Sequence, residues 1–286
     1  MKKSILAVFA LFVILSGCSS TKQVNSSSTE KKLKDLAYGK HPRNIMDVYL
    51  PAGRNEQTPF VLLIHGGAWV KAGKEDAQEY TDSLFNNHIA VVSINYRYAS
   101  ADSVHYPQMM EDVDNALNYC IANAKDWNIR KDNFSLTGGS SGAHVALLYS
   151  YTTNKKIKAV VDLCGPTNLA DTTVLNYSAK VGLLGVIEMM TGKKYIRGQA
   201  LDPAYANSSP ITHIKNIPTL IIHGTADPVV HFSQSQQLSD QLKAKNVIHK
   251  LLPIPGAGHD LNTKKDPATR ALVYHEAINW IHKYGK

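Results

Sequence analysis

NFSLTGGSSGAHVALLY, from Asn133 to Tyr149, is the stretch whose reading decides the fold. A short β-prone run (Phe134, Leu136, Thr137) collapses into glycines and serines, then continues as Ala143-His144-Val145-Ala146-Leu147-Leu148. That order reads as strand, tight turn, helix. The turn itself, Gly138-Gly139-Ser140-Ser141-Gly142, has the form G-x-S-x-G. In such a turn the serine sits at a strained apex that lifts its hydroxyl above the sheet. The residues two positions to either side must be tiny, because strand and helix backbones pass close there. Taken alone the pattern is as common in linkers as in nucleophile sites. The flanking strand and helix, and three further pieces at fitting places, make Ser140 a nucleophile candidate. Ser141 competes, but its register closes on Ala143 instead of glycine, so Ser140 is preferred.

Outward from this stretch, the chain opens MKKSILAVFALFVILSGC. Lys2 and Lys3 form a basic start, and Ile5 to Leu15 is an unbroken apolar run of 11 residues. A bilayer span needs about 20 apolar residues, so this is signal-peptide length. Its end, Leu15-Ser16-Gly17-Cys18, resembles a bacterial lipobox. That resemblance implies cleavage before Cys18, lipidation (palmitate) of Cys18, and a membrane anchor through the N-terminal lipid. An ordinary secretory signal with an incidental Cys18 is the alternative. Ser19 stands where aspartate would signal inner-membrane retention, so a Gram-negative source implies the outer membrane. Residues 1–17 are thus a signal peptide, 18–32 a serine-rich tether too polar to fold, and 33–286 the folded domain.

Apolar residues make up 44% of the chain, ample for a large core. The formal charge of +8 falls by two when Lys2 and Lys3 leave. It is spread along the chain, which suits a plain exposed surface, and nothing resembles a nucleic-acid module. Cys120 and Cys164 have no metal-ligand spacing. An exported protein can join such a pair, though two buried thiols are the plainer expectation.

From Lys34 onward strands and helices alternate. Strands are expected at Asn44–Leu50, Phe60–Ile64, Ala90–Asn95, Phe134–Thr137, Lys158–Leu163, Thr219–Ile222 and His249–Ile254. Helices are expected at Glu75–Asn86, Pro107–Ala124, after Ser140, at Ser233–Ala244 and at Pro267–Lys283. This rhythm predicts an α/β fold, a mostly parallel central sheet with helices on both faces. Residues 165–210 break it, with one weak helical pattern near Ala179–Met190, and read as a small cap insert. Met189, Met190 and Tyr195 either line an acyl pocket or pack the cap.

Acyl transfer at a serine needs a base, a group to orient the base, and donors for the oxyanion. Donors are expected from Ser141, after the nucleophile, and from the glycine loop after the third strand, His65-Gly66-Gly67-Ala68-Trp69. Gly67 is the main loop donor and Gly66 its neighbour. Asp227, in the loop following Thr219–Ile222, is the orienting acid, although Asp-Pro also simply starts turns. His259, in Pro255-Gly256-Ala257-Gly258-His259-Asp260, is the base. His65 shapes the oxyanion loop, while His144 and His223 are supporting or structural. No metal or nucleotide motif occurs, so no metal and no cofactor are expected.

The set DVYLP (Asp47–Pro51), HGGAW (His65–Trp69), INYR (Ile94–Arg97), GGSSGAH (Gly138–His144), HGTADPVV (His223–Val230) and GAGHD (Gly256–Asp260) resembles the bacterial esterase/lipase group of α/β-hydrolases. The likeness is greatest to its feruloyl and acetylxylan esterase-like carboxylesterase branch. It implies an α/β-hydrolase fold, the triad Ser140, Asp227 and His259, and a structural Asp112. It also implies short-acyl or hydroxycinnamoyl ester substrates, including acetyl groups on polysaccharide. Ala68 and Gly139–Ala143 depart from the HGGG and GDSAGG patterns of hormone-sensitive-lipase-like relatives. Competing readings are a prolyl-oligopeptidase-type peptidase, an arylformamidase-like amidase, and a catalytically silent binding lipoprotein.

Overall fold

The computed structural model describes residues 28–286; the signal-peptide and Cys18 expectations lie outside the described residues. The strands are β1 (Lys31–Ala37), β2 (Ile45–Leu50), β3 (Phe60–Ile64), β4 (Ala90–Ile94), β5 (Phe134–Gly139), β6 (Ile157–Leu163), β7 (Thr219–Gly224) and β8 (His249–Ile254). The helices are α1 (Gln78–Asn86), α2 (Tyr106–Ala122), α3 (Ala124–Trp127), α4 (Ser141–Thr152), α5 (Thr172–Lys180), α6 (Leu184–Thr191), α7 (Pro203–Asn207), α8 (Ser233–Ala244) and α9 (Pro267–Tyr284).

One eight-stranded sheet runs β1-β2-β4-β3-β5-β6-β7-β8. From β4 to β8 all neighbours are parallel, while β2 is antiparallel to both β1 and β4. The fold expectation of a mostly parallel sheet between helices holds. The reason is visible in β3, which is buried along its whole length. Phe60, Leu62 and Ile64 join the core that includes α2 residues, and Val61 and Leu63 join the opposite core with α1 and α9. A strand covered on both faces has no use for polar alternation.

Three local readings are corrected. β1 begins at Lys31, inside the segment read as tether, and Ser28 and Thr29 are already fixed against the Gly53–Arg54 turn. The alternation rule missed β1 because most of its residues are exposed. The start of the first helix is a 3-10 turn at Lys74–Ala77, followed by α1. The cap has two main helices in place of the single weak pattern expected near Ala179–Met190, because Gly182 takes a left-handed φ of 77° between α5 and α6. Among the described residues, no helix is long and apolar enough to cross a membrane.

Candidate active site

α4 explains the glycines on either side of Ser140. It lies buried over the sheet, with 11 of its 12 residues inaccessible. At that depth β5 and α4 cross the end of β3 with almost no room. A Cβ on Gly142 would lie 2.1 Å from the Ile64 carbonyl oxygen, and one on Gly138 would lie 2.5 Å from the Gly142 backbone. Gly139 would meet nothing within 4 Å. The G-x-S-x-G spacing is therefore a packing rule for its outer glycines only. Ser140 at the apex has φ 54° and ψ −124°, a conformation that costs a non-glycine residue about 1–3 kcal/mol.

The sequence candidates converge at this apex. His259 Nε2 is 2.8 Å from Ser140 Oγ, and His259 Nδ1 is 2.7 Å from Asp227 Oδ2. Since a carboxylate only accepts, Nδ1 carries the proton, and Nε2 is left to accept from the serine hydroxyl. Ser141 is different. Its Oγ is buried 3.5 Å from the Tyr96 hydroxyl, and it opens α4, where the first N–H groups of a helix lack intrahelical partners. The two serines thus offer a hydroxyl and a backbone donor respectively.

Asp227 is buried and surrounded by donors. Oδ1 accepts from the Val229 and Val230 amides at 2.8 and 3.0 Å, and Oδ2 accepts from His223 Nε2 at 3.1 Å as well as from His259. Burial on its own would raise its pKa. The hydrogen bonds from His223 and His259, the His259 charge and the Val229 amide outweigh that, holding the carboxyl well below the usual carboxylate range. His223 is oriented for this task by Ser235, whose Oγ lies 2.6 Å from Nδ1. The supporting role expected of His223 is thus given a partner the sequence did not reveal.

The glycine loop is held from both ends. On one side, a Cβ on Gly66 would meet the Gly139 carbonyl oxygen at 2.9 Å and Ser140 Cβ at 3.5 Å, so this backbone lies against the nucleophile. Gly67 has φ 111°, and its Cβ would be 2.1 Å from the Lys71 carbonyl oxygen. Ala68 and Trp69 follow with left-handed φ of 51° and 62°. On the other side, Trp69 Nε1 donates to His144 Nδ1 at 3.2 Å, and His144 Nε2 donates to the Ser208 carbonyl at 2.7 Å. Burial pushes the His144 pKa down to about 4, so the ring is a neutral strut between loop and cap. His65 is also driven down to about 4, chiefly by burial, and it stacks on Tyr96 at 4.6 Å. Arg43, which no motif flags, donates to the Tyr96 and Ala72 carbonyls and lies 3.2 Å from His65 Nε2. Only its position in space marks it as part of the loop's support. Asp112, read as structural, is buried and holds Arg97 through both oxygens.

Two cavities open beside Ser140. One, of about 450 Å³, lies under the cap and is lined by Leu169, Val174, Leu183, Val186, Ile187 and Val230 among others. Met189, Met190 and Tyr195 do not line it; they pack into the core beside α6, so their packing alternative is the one the structure takes. The second cavity, of about 260 Å³, lies toward α1 and α9 and includes His259, Tyr80, Tyr274 and Lys264. Cys120 and Cys164 are free buried thiols. Cys164 Sγ donates to the His259 carbonyl at 3.1 Å, and Cys164, Asp227 and His259 bring ligand-type atoms within 4.8 Å of one another. Since each Asp227 oxygen already accepts N–H donors, this cluster is accounted for by the acid–base pair.

Comparison with known proteins places this geometry. The BD-FAE family profile matches residues 46–242, which takes in the glycine loop, Ser140 and Asp227 and ends before His259. The chain is 26% identical to "Probable isoprenylcysteine alpha-carbonyl methylesterase ICME" of Oryza sativa subsp. japonica, over 87% of this chain and 64% of that protein. It is 27% identical to "Probable carboxylic ester hydrolase LipM" of Mycobacterium tuberculosis, over 87% of this chain and 61% of that one. The chain therefore spans somewhat over three-fifths of the length of these relatives. A solved "Truncated form of carbohydrate esterase from gut microbiota" superposes with a TM-score of 0.70 at 23% identity, covering 90% of this chain and 98% of that one, and so shares the fold. With the profile matching well over half its length, this chain belongs to the BD-FAE family.

Proposed function

We propose that the protein is a serine carboxylesterase. The observation that carries the reading is the continuous relay from Ser140 Oγ through His259 to Asp227, at 2.8 and 2.7 Å. His259 Nε2 takes the hydroxyl proton as Ser140 Oγ bonds to the ester carbonyl carbon. Gly66, Gly67 and Ser141 supply the backbone donors for the resulting oxyanion. As the oxyanion collapses, the carbon–oxygen bond to the alcohol breaks, and the departing oxygen takes the proton from His259. A water molecule then gives its proton to His259 and attacks the acyl-enzyme, releasing acid and restoring Ser140. Asp227 holds the His259 tautomer and stabilises its charged form throughout. Support from relatives is the ester hydrolase wording of the curated proteins and the carbohydrate esterase neighbour.

The same proposal gives short-acyl or hydroxycinnamoyl esters as substrates, acetylated polysaccharide among them. It places the catalytic domain outside the cytoplasm on a lipidated Cys18, on the strength of the lipobox resemblance. The test is hydrolysis of p-nitrophenyl acetate, butyrate and octanoate by the protein and by Ser140→Ala. Loss of roughly 10⁴–10⁶ in kcat for the variant is expected. Full activity in Ser140→Ala would remove the nucleophile from this position. Turnover of dipeptide anilides with no ester activity would replace the esterase with a peptidase.

A further inference from the structure

We infer that Arg43 is a positioning residue for oxyanion stabilisation. By donating to His65 Nε2 it fixes the ring tautomer in which Nδ1–H holds the Gly66 carbonyl, and that bond aims the Gly67 N–H. The inference rests on the carboxylesterase reading and adds a relay, starting outside the glycine loop, that sets the angle of the loop's main donor.

The tautomer is forced from both ends. Arg43 Nη2 lies 3.2 Å from His65 Nε2, and His65 Nδ1 lies 2.6 Å from the Gly66 carbonyl oxygen. A guanidinium only donates and a carbonyl only accepts. One protonation state serves both contacts, a neutral ring with its proton on Nδ1. The other tautomer sets N–H against N–H at one end and a lone pair against the carbonyl at the other. Burial first, and the Arg43 charge with it, keep the ring neutral against the pull of the Gly66 bond, with a pKa of about 4. The plane of the imidazole is fixed separately, by stacking on Tyr96 at 4.6 Å between ring centroids.

A Gly-Gly peptide needs such a lock. The Gly66 carbonyl and the Gly67 N–H belong to one planar unit and point to opposite sides of it, so holding one aims the other. Close approach to Ser140 calls for glycine at position 66. Glycine on each side also lets that plane rotate where bulkier residues would resist. The next peptide is held differently, its Gly67 carbonyl accepting from the Val70 and Lys71 amides, each at 3.1 Å. Arg43 is itself fixed at three further points. Nε donates to the Tyr96 carbonyl at 2.8 Å, Nη2 donates to the Ala72 carbonyl at 3.1 Å, and the guanidinium lies over the Tyr98 ring at 3.5 Å. A lysine, with a single point charge, cannot make this planar set of contacts.

The test is hydrolysis of p-nitrophenyl butyrate, with butylboronic acid as a mimic of the tetrahedral adduct. The proteins compared are the parent, Ser140→Ala, Arg43→Met, Arg43→Lys, His65→Asn and the double variant Arg43→Met/His65→Asn. Loss of one oxyanion donor costs about 10²–10³-fold in kcat. A misaimed donor in Arg43→Met should therefore cost about 10–10²-fold, with KM within about twofold. The inhibition constant of the boronate should rise by a similar factor, a shift that loosened folding alone does not produce. Arg43→Lys should recover little of the loss. His65→Asn places an amide N–H near the Nδ1 position with no tautomer to choose, so adding Arg43→Met to it should cost less than about threefold. A melting curve on each variant checks folding, and if Arg43→Met is unfolded at the assay temperature, Arg43→Lys is read in its place. Parental kcat and boronate affinity in the Arg43 variant, a loss confined to KM, or additive losses in the double variant overturn the relay while leaving the esterase reading intact. Absence of all ester hydrolysis, or full activity in Ser140→Ala, overturns the esterase reading itself and the relay with it.

Discussion

The turn that carries Ser140 and the cap that roofs it are fixed by different kinds of contact. In the turn, backbone meets backbone: Gly138 and Gly142 stand against the Ile64 carbonyl with no space for a single carbon atom. In the cap, side chain meets side chain: α5, α6 and the link between them present half-buried Val174, Val186 and Leu183 to a cavity that other aliphatic residues would line equally well. A backbone contact admits one residue type, whereas a cavity wall admits any set of suitable volume and polarity. The teaching of the pair is that a backbone contact dictates residue identity, whereas a cavity wall dictates only volume and polarity.

The comparison is sharpened most by Asp227→Asn. The amide keeps the shape but favours the wrong His259 tautomer, and kcat for a p-nitrophenyl ester should fall by about 10⁴-fold. Turnover within tenfold of the parent would mean that Asp227 serves only its turn. Next comes Gly142→Ala beside Gly139→Ala. The first forces a carbon to 2.1 Å from a carbonyl oxygen and the second meets empty space. Overpacking of this kind costs about 1–3 kcal/mol, with more where only backbone can yield, and should appear as a several-degree drop in Tm for Gly142→Ala. Equal melting of the two variants would break the claim that backbone approach dictates the motif. The smallest effect belongs to Tyr177→Phe, which removes a 2.7 Å hydrogen bond from α5 to the Pro228 carbonyl, next to Asp227. Losing this half-exposed bond should cost at most about 1 kcal/mol and change kcat by a fewfold. A hundredfold loss would show that the cap takes part in setting the acid loop.

The same distinction decides what could be read from residues alone. Ser140, Asp227 and His259 were legible because each follows a strand in a glycine- or proline-marked loop, and the sheet brings those loops to one end. The parallel sheet was legible because strands such as β3 are apolar without a break. Arg43 was not, since it works through three carbonyl and ring contacts made by residues far along the chain. Ser235 stayed hidden for the same reason, its hydroxyl defined only by the His223 ring it meets. For Met189, Met190 and Tyr195 the residues left pocket lining and packing open, and the structure takes packing. A helix has no marked inner face until its neighbour is known, and these residues turned toward the core.

The register of β1 carries a geometric consequence for everything that precedes it. Lys31 pairs with Leu50, and the neighbouring β2 residue Tyr49 pairs with Val91 near the start of β4, so the chain enters the domain at the end of the sheet where the parallel strands begin. Ser140 stands where they finish. Five residues of β3 separate the two ends, a distance of about 16 Å before loops are added. The described chain therefore enters the domain at its foot, and the catalytic cleft stands at the far end of the sheet.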